Sequence, residues 1–274
     1  MSRTDSSVQR VGAWTLTLLR LATFRVRRGR LVPEVESAET VSFPSNVLLC
    51  RRGDETILVD AGEGAIGRPP GIPSSQEDEI TLEEALHGAG CRIEDVGLVV
   101  VTHLDFDHAN GVVTGSRGAL TPTFPTASVV FPNGAIEYAE SDRRQRAEMD
   151  AGIVLDALHA SSSEVRVVGD GAEVAPGMRF LFVPGHREVH AAIEIREASE
   201  RFFYLADVFH LPEEIEQPER PHGTDVDADP SQAVETRVRM LAAIGSRDLV
   251  AGSHLEGFGH VEMNGDVRVW RPVV

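Results

Sequence analysis

The chain has 274 residues, 42% of them hydrophobic and 25% charged, and a formal net charge of −17. A chain of this length buries a substantial core without covalent staples, so a disulfide-stapled miniprotein and a disordered chain are excluded, and one domain spanning residues 1–274 is expected. The acidic balance repels phosphate backbones, leaving nucleic acid a poor partner without a local basic patch, and the two cysteines, Cys50 and Cys91, share no short motif and fit free thiols in a reducing, cytoplasmic compartment.

The apolar stretch 11–24 is interrupted by Arg20 and is too short to span a bilayer, so it reads as a strand and not as a leader or membrane helix. Strands are predicted over residues 14–24, 46–51 and 56–60, the last two joined by a hairpin turn at Gly53-Asp54. Asp60-Ala61-Gly62-Glu63-Gly64 ends the third strand in a glycine-rich loop, and residues 68–75, opening on Arg68-Pro69-Pro70-Gly71, read as loop. Residues 81–88 predict a helix with Thr81 as cap and Glu84 completing the capping box. The continuous apolar run 96–101 marks a strand buried on both faces. A strand follows over 127–131, and 135–158 is helical with a break near Gly152. Strands return over 165–168, 178–183, 191–196 and 202–206. A helix opens after Asp229-Pro230 and covers 231–244, and strands over 248–251 and 267–270 close the chain. Each half gives strands followed by helix, which predicts two mixed β-sheets packed face to face with helices outside, an α/β class. The acidic stretches 75–84 and 213–229 read as solvated surface.

Of the ten histidines, several fall where a predicted strand ends. A strand end aims a side chain into a cleft while the sheet fixes its backbone. The densest group is His103-Leu104-Asp105-Phe106-Asp107-His108, directly after the buried strand. Imidazole nitrogens and carboxylate oxygens at this density suit Zn²⁺, Mn²⁺ or Fe²⁺. Pro184-Gly185-His186, Asp207 and Ser253-His254 each follow a further predicted strand. Four strand ends that terminate in ligand-type residues point to one metal site.

These residues resemble the metallo-β-lactamase-fold hydrolases, whose pattern is a His-x-His-x-Asp-His loop, then Pro-Gly-His, an Asp and a late His. The likeness runs from Asn46 to His260. Asp60-Ala61-Gly62 and the stretch Asp227–Pro230 before a helix carrying Thr236-Arg237 resemble its lactonase and organophosphate-hydrolase branches. The resemblance implies an αββα sandwich with two divalent metals, zinc foremost. His103, Asp105 and His186 would hold one, Asp107, His108 and His254 the other, and Asp207 both. A hydroxide between them would be the nucleophile. Asp105 stands where the family has histidine, which favours harder ions such as Mn²⁺ or Fe²⁺.

The implied reaction is hydrolysis of a small-molecule ester or lactone. Phosphotriester or phosphodiester hydrolysis, iron-dependent redox chemistry and metal-assisted binding without catalysis are the alternatives. Asp107 orients the nucleophile, and His210, where some family lactonases carry tyrosine, is the expected proton donor. His190 reads as a supporting residue, His260 as a residue of the pocket mouth, Asp60 as the brace of the loop under the metals, and His159 and His222 as solvated. The pocket is expected from loops around 64–76, 115–125 and 211–221, walled by Phe106, Phe124, Phe209 and Phe258. The expected partner is a small-molecule substrate, with no nucleic acid and no membrane, and with homo-oligomerisation left open.

Overall fold

A computed structural model describes residues 6–32, 38–67, 75–116, 118–145, 151–161 and 163–273. In chain order its strands are β1 (Ser6–Val11), β2 (Trp14–Arg27), β3 (Thr40–Arg52), β4 (Glu55–Val59), β5 (Ser75–Glu77), β6 (Leu98–Val100), β7 (Val113–Ser116), β8 (Ala119–Pro122), β9 (Ser128–Pro132) and β10 (Val165–Val168). The second half adds β11 (Glu173–Ala175), β12 (Met178–Phe182), β13 (Ala191–Glu197), β14 (Glu200–Tyr204), β15 (Leu249–Ala251), β16 (Gly259–Asn264) and β17 (Val267–Pro272). The helices are α1 (Arg28–Leu31), α2 (Leu82–Gly88), α3 (Phe106–Ala109), α4 (Ala135–Gln145), α5 (Ala151–Ala160), α6 (Glu213–Glu216) and α7 (Pro230–Ala243).

The first sheet has the order β1-β2-β3-β4-β6-β9-β10 with β5 beside β2, and the second runs β11 to β17 in sequence order. Side-chain alternation welds them together. On β3, Leu48 and Cys50 face the core between the sheets, where Trp14, Leu16, Phe180, Ile193, Phe202 and Tyr204 meet them. Val47 and Leu49, one residue out of phase, face Ala85, Leu86, Val154 and Leu158 of α2 and α5 on the outside. In the second sheet Phe202 and Tyr204 point inward, while Phe203 packs outward with Met240 and Leu241 of α7. The period of two thus builds the four expected layers, helix, sheet, sheet, helix. Val99 and Val100 of β6 enter opposite cores, which is why that strand reads as an unbroken apolar run.

Topology brings the candidate residues to one edge. β4, β6 and β9 are mutually parallel, so their C-terminal ends share an edge of the first sheet. In the second sheet β12 and β14 both run antiparallel to β13, and β15 runs parallel to β14. The ends of β12, β14 and β15 therefore lie together. Backbone bonds from Asn46 N to Ser253 O (2.9 Å) and from Ala191 N to Thr102 O (3.0 Å) tie the sheets.

The predicted hairpin at Gly53-Asp54 and the Thr81/Glu84 capping box are present. Residues 68–74 lie outside the described residues, and Ser75, expected in that loop, opens β5 instead. The helical stretch is two helices, with Gly152 near the start of α5 and residues 146–150 between them outside the described residues. β14 ends at Tyr204 and not at Ala206, because Ala206 adopts φ 46° and turns the chain toward Asp207. Glu214 and Asp227, expected on solvated acidic stretches, are 5% and 1% exposed.

Gly185, between β12 and His186, has φ +129°, and a Cβ there would stand 2.3 Å from the Ala233 nitrogen in α7. Gly185→Ala should cost more than about 1 kcal/mol in urea unfolding.

Candidate metal centre

β6 delivers the chain through Val101 and Thr102 into the 103–108 segment, and α3 begins at Phe106. The short helix turns Asp107 and His108 back toward the edge reached by His103. His186 follows β12, Asp207 follows β14 and His254 follows β15. All are buried or nearly so, with Asp207 and His254 each 4% exposed.

Each histidine is locked by a bond to its Nδ1. His108 Nδ1 donates to Asp60 Oδ2 at 2.8 Å, His186 Nδ1 to Asp227 Oδ1 at 3.1 Å, and His254 Nδ1 to the Pro44 carbonyl at 2.8 Å. His103 Nδ1 lies 3.0 Å from Thr102 Oγ1, whose hydroxyl donates to Asp60 Oδ2 at 2.9 Å, so the imidazole must be the donor there. With Nδ1 spent in this way, each Nε2 faces the cluster, and that of His254 lies within hydrogen-bond distance of Asp207 Oδ2 at 3.2 Å. The Nε2 atoms of His103, His108 and His186, and Asp207 Oδ1, are buried without a hydrogen-bond partner.

These atoms converge. His103 Nε2 lies 3.8 Å from Asp105 Oδ2 and 3.9 Å from Asp207 Oδ2, and His186 Nε2 lies 3.5 Å from each. His108 Nε2 lies 3.1 Å from Asp207 Oδ1 and 3.8 Å from Asp107 Oδ2. His254 Nε2 lies 3.2 Å from Asp207 Oδ2 and 3.9 Å from Asp107 Oδ2. Ligands about 2.0–2.2 Å from a shared ion stand roughly 3–4 Å from one another. Buried, unpartnered ring nitrogens and a carboxylate oxygen at those spacings fit divalent cations. Asp207 contacts both halves of the cluster.

The electrostatics follow from crowding. Burial pushes Asp107 above the usual carboxylate range. Burial also opposes ionisation of Asp207, but His108 and His254 hold it well below that range. Burial would raise Asp105 too, yet the adjacent Arg187 guanidinium and the histidines hold it well below. His103 is pushed down by burial and by His108.

His210 joins the cluster, stacked on His254 with ring centroids 5.0 Å apart and its Nε2 3.7 Å from Asp207 Oδ2. Its backbone N–H donates to Glu214 Oε2 at 2.8 Å, and burial keeps its ring well below the ordinary imidazole range. His190 is buried beside His103 with a ring distance of 4.6 Å. Asp60, with φ 61°, also accepts from the Thr102 backbone at 2.8 Å, bracing the loop from below as expected. His260 is half-buried and donates to the Asp248 carbonyl at 2.9 Å, away from the cluster.

The expected aromatic wall is corrected. Phe124, Phe209 and Phe258 belong to three separate cores, because their strands and turns point them between layers. Phe106 alone of the four stays at the site, in an apolar group with Phe24, Leu31, Phe43 and Leu211. Phe43 stands edge-on to His254 at 4.9 Å. Loop residues Gly64, Gly67 and Thr123 line a separate cavity of about 850 Å³, walled by Leu21, Ser45, Ala61 and Ile80 and not by the histidines.

Sequence reasoning missed the buried network behind His186. His222, expected to be solvated, is 4% exposed. Its Nδ1 lies 3.0 Å from Asp227 Oδ2 and its Nε2 2.9 Å from Glu214 Oε1, while Arg237 Nη1 lies 3.5 Å from Asp227 Oδ2. Carboxylates beside opposite ring nitrogens favour the doubly protonated imidazolium. Burial opposes that charge, but Glu214 and Asp227 push His222 up to about 9. No local pattern around His222 distinguishes it from a surface histidine; only the four-residue convergence does.

Because the folded pKa lies above the unfolded value of about 6.5, this charge stabilises fully below that pH, and the stabilisation is lost as pH rises through about 9. His222→Leu should cost about 3–5 kcal/mol at pH 6, and the gap to wild type should narrow by pH 10 in denaturant unfolding.

Residues 41–254 match the Metallo-beta-lactamase superfamily. An N-acyl homoserine lactonase of Bacillus cereus is 25% identical over 211 residues, covering 70% of this chain and 77% of that protein. Among solved structures, AidC, a dizinc quorum-quenching lactonase, superposes with TM-score 0.79 at 18% identity over 98% of this chain and 97% of its own. The hydrolase AbOPH gives TM-score 0.80 at 20% identity over 100% and 99%. A probable metal-dependent hydrolase from Staphylococcus aureus gives 0.78 at 17% over 97% and 100%. With the family match spanning most of the chain and the strand-end cluster in place, this chain belongs to the metallo-beta-lactamase superfamily.

Proposed function

We propose that the protein is a metal-dependent hydrolase that cleaves an ester or lactone bond in a small molecule. The observation that carries this reading is the set of four histidines, each anchored through Nδ1, with their Nε2 atoms turned toward Asp207 and those of His103, His108 and His186 buried without a partner. His103, Asp105 and His186 would hold one ion, Asp107, His108 and His254 a second, with Asp207 between them. When bound, two divalent cations, zinc foremost, supply an activated water at neutral pH and a Lewis acid for the substrate oxygen. Such chemistry needs a water-poor site, which the burial of these side chains supports.

The protein's own groups do the rest. Asp107, at the rim of the cluster with its side chain 10% exposed, accepts a hydrogen bond from the attacking water and fixes its direction. His210, kept neutral by burial, donates a ring N–H to the departing oxygen as it gains charge. The apolar group of Phe24, Leu31, Phe43, Phe106 and Leu211 beside the cluster suits a substrate with an apolar limb. The lactonase relatives favour a lactone among esters. The net charge of −17 argues against a polyanionic substrate.

His108→Ala should abolish hydrolysis and remove metal, measured by elemental analysis and by turnover on a panel of lactones, aryl esters, thioesters and phosphotriesters. Unchanged turnover in that variant would overturn the metal mechanism. Preferential turnover of phosphotriesters would shift the assignment to that class.

A further inference from the structure

Position 105 is where the chain departs from the His-x-His-x-Asp-His pattern, and the residue following His186 closes on that departure. Arg187 Nε donates to Asp105 Oδ1 at 2.7 Å, and Arg187 Nη2 lies 2.5 Å from Asp105 Oδ2. The other side of the guanidinium is also fixed, since Nη1 donates to the carbonyls of His186 at 2.6 Å and Val226 at 2.8 Å. The Asp105 side chain is 6% exposed and that of Arg187 17%, so the pair is largely shielded from water.

Arginine does not exhaust the carboxylate. A carboxylate offers about four lone-pair positions, and the fork takes one on each oxygen. Oδ2 remains 3.5 Å from His186 Nε2 and 3.8 Å from His103 Nε2, within ligand spacing of both. The charges also balance. A carboxylate of −1 and a guanidinium of +1 sum to zero, the charge of the neutral imidazole that the family pattern has at this position.

Resting on the metal reading above, we infer that Asp105 and Arg187 form one neutral ligand unit, in which Asp105 Oδ2 ligates while Arg187 aims the carboxylate and cancels its charge. Arg187 is thus a positioning residue that acts through Asp105. Neither residue is exchangeable alone. An imidazole or amide at 105 leaves a buried, uncompensated cation beside the ions, and that cation opposes them.

The test challenges metal-loaded protein with graded chelator and reads metal retained per chain, with circular dichroism as the check on folding. Asp105→Asn preserves shape but removes the ligating carboxylate, and should weaken retention of one ion by at least about 10–100-fold, the range for losing only a group that supports a ligand. Asp105→His should weaken it comparably, and adding Arg187→Thr to Asp105→His should recover most of the loss. Wild-type retention in Asp105→Asn, or equal retention in Asp105→His with and without Arg187→Thr, would overturn the inference. Should Asp105→His fail to fold, Asp105→Asn with and without Arg187→Thr decides, since equal retention in the two would overturn the pairing. Metal-loaded wild type with indifferent variants sinks the pairing alone, whereas wild type that retains no metal sinks the metal reading and the pairing with it.

Discussion

The site depends on the hydrogen bond that each clustered histidine makes from the side opposite the cluster. Imidazole has two nitrogens, and the proton on one decides whether the other is a donor or a ligand. Asp60, Asp227, the Pro44 carbonyl and, through Thr102, Asp60 again take the Nδ1 protons. Asp60 thereby serves two histidines at once while pinning the Thr102 backbone. Its loss would release both rings.

Holding the arrangement costs conformational energy, and the cost falls at the strand ends. Ala206, with φ 46°, occupies a left-handed region that penalises a Cβ by about 1–2 kcal/mol. The turn is retained because it swings Asp207 out of the line of β14 and between the two halves of the cluster. The Ser253 N–H donates to the Ala206 carbonyl at 3.2 Å, so the turn that places Asp207 also fixes the segment bearing His254. Two sheets tied by such bonds at one edge form a rigid frame, and ligand atoms carried on it need little reordering to receive an ion.

The two-sheet architecture was legible because burial imposes periodicity: Leu48 and Cys50 against Val47 and Leu49 read directly as two buried faces. Short strands such as β7, β8 and β11 were not legible, since three or four residues carry too little pattern. The clustered residues stood out because strand ends concentrate them. What lay behind them did not. Asp227 and Glu214 sit in an acidic run that looks solvated, and their burial depends on His222 and Arg237, which are distant in sequence. The aromatic wall failed for the same reason: Phe24 and Phe43 lie within β2 and β3, where a sequence reader counts them as sheet core.

The cluster buries Asp105, Asp107 and Asp207 together, with Asp60 and Asp227 directly behind. In a low-dielectric interior, such a group of anions is tolerable only if cations share the space. The chain supplies them selectively. Arg187 answers Asp105, while His222 and Arg237 answer Asp227 and Glu214. Among the described residues, Asp107 and Asp207 have only histidines within ion-pair distance. Asp60 is instead satisfied by His108, the Thr102 backbone and the Thr102 hydroxyl, so Asp107 and Asp207 are the clustered carboxylates that divalent ions would neutralise, at the centre where hydrolysis would take place.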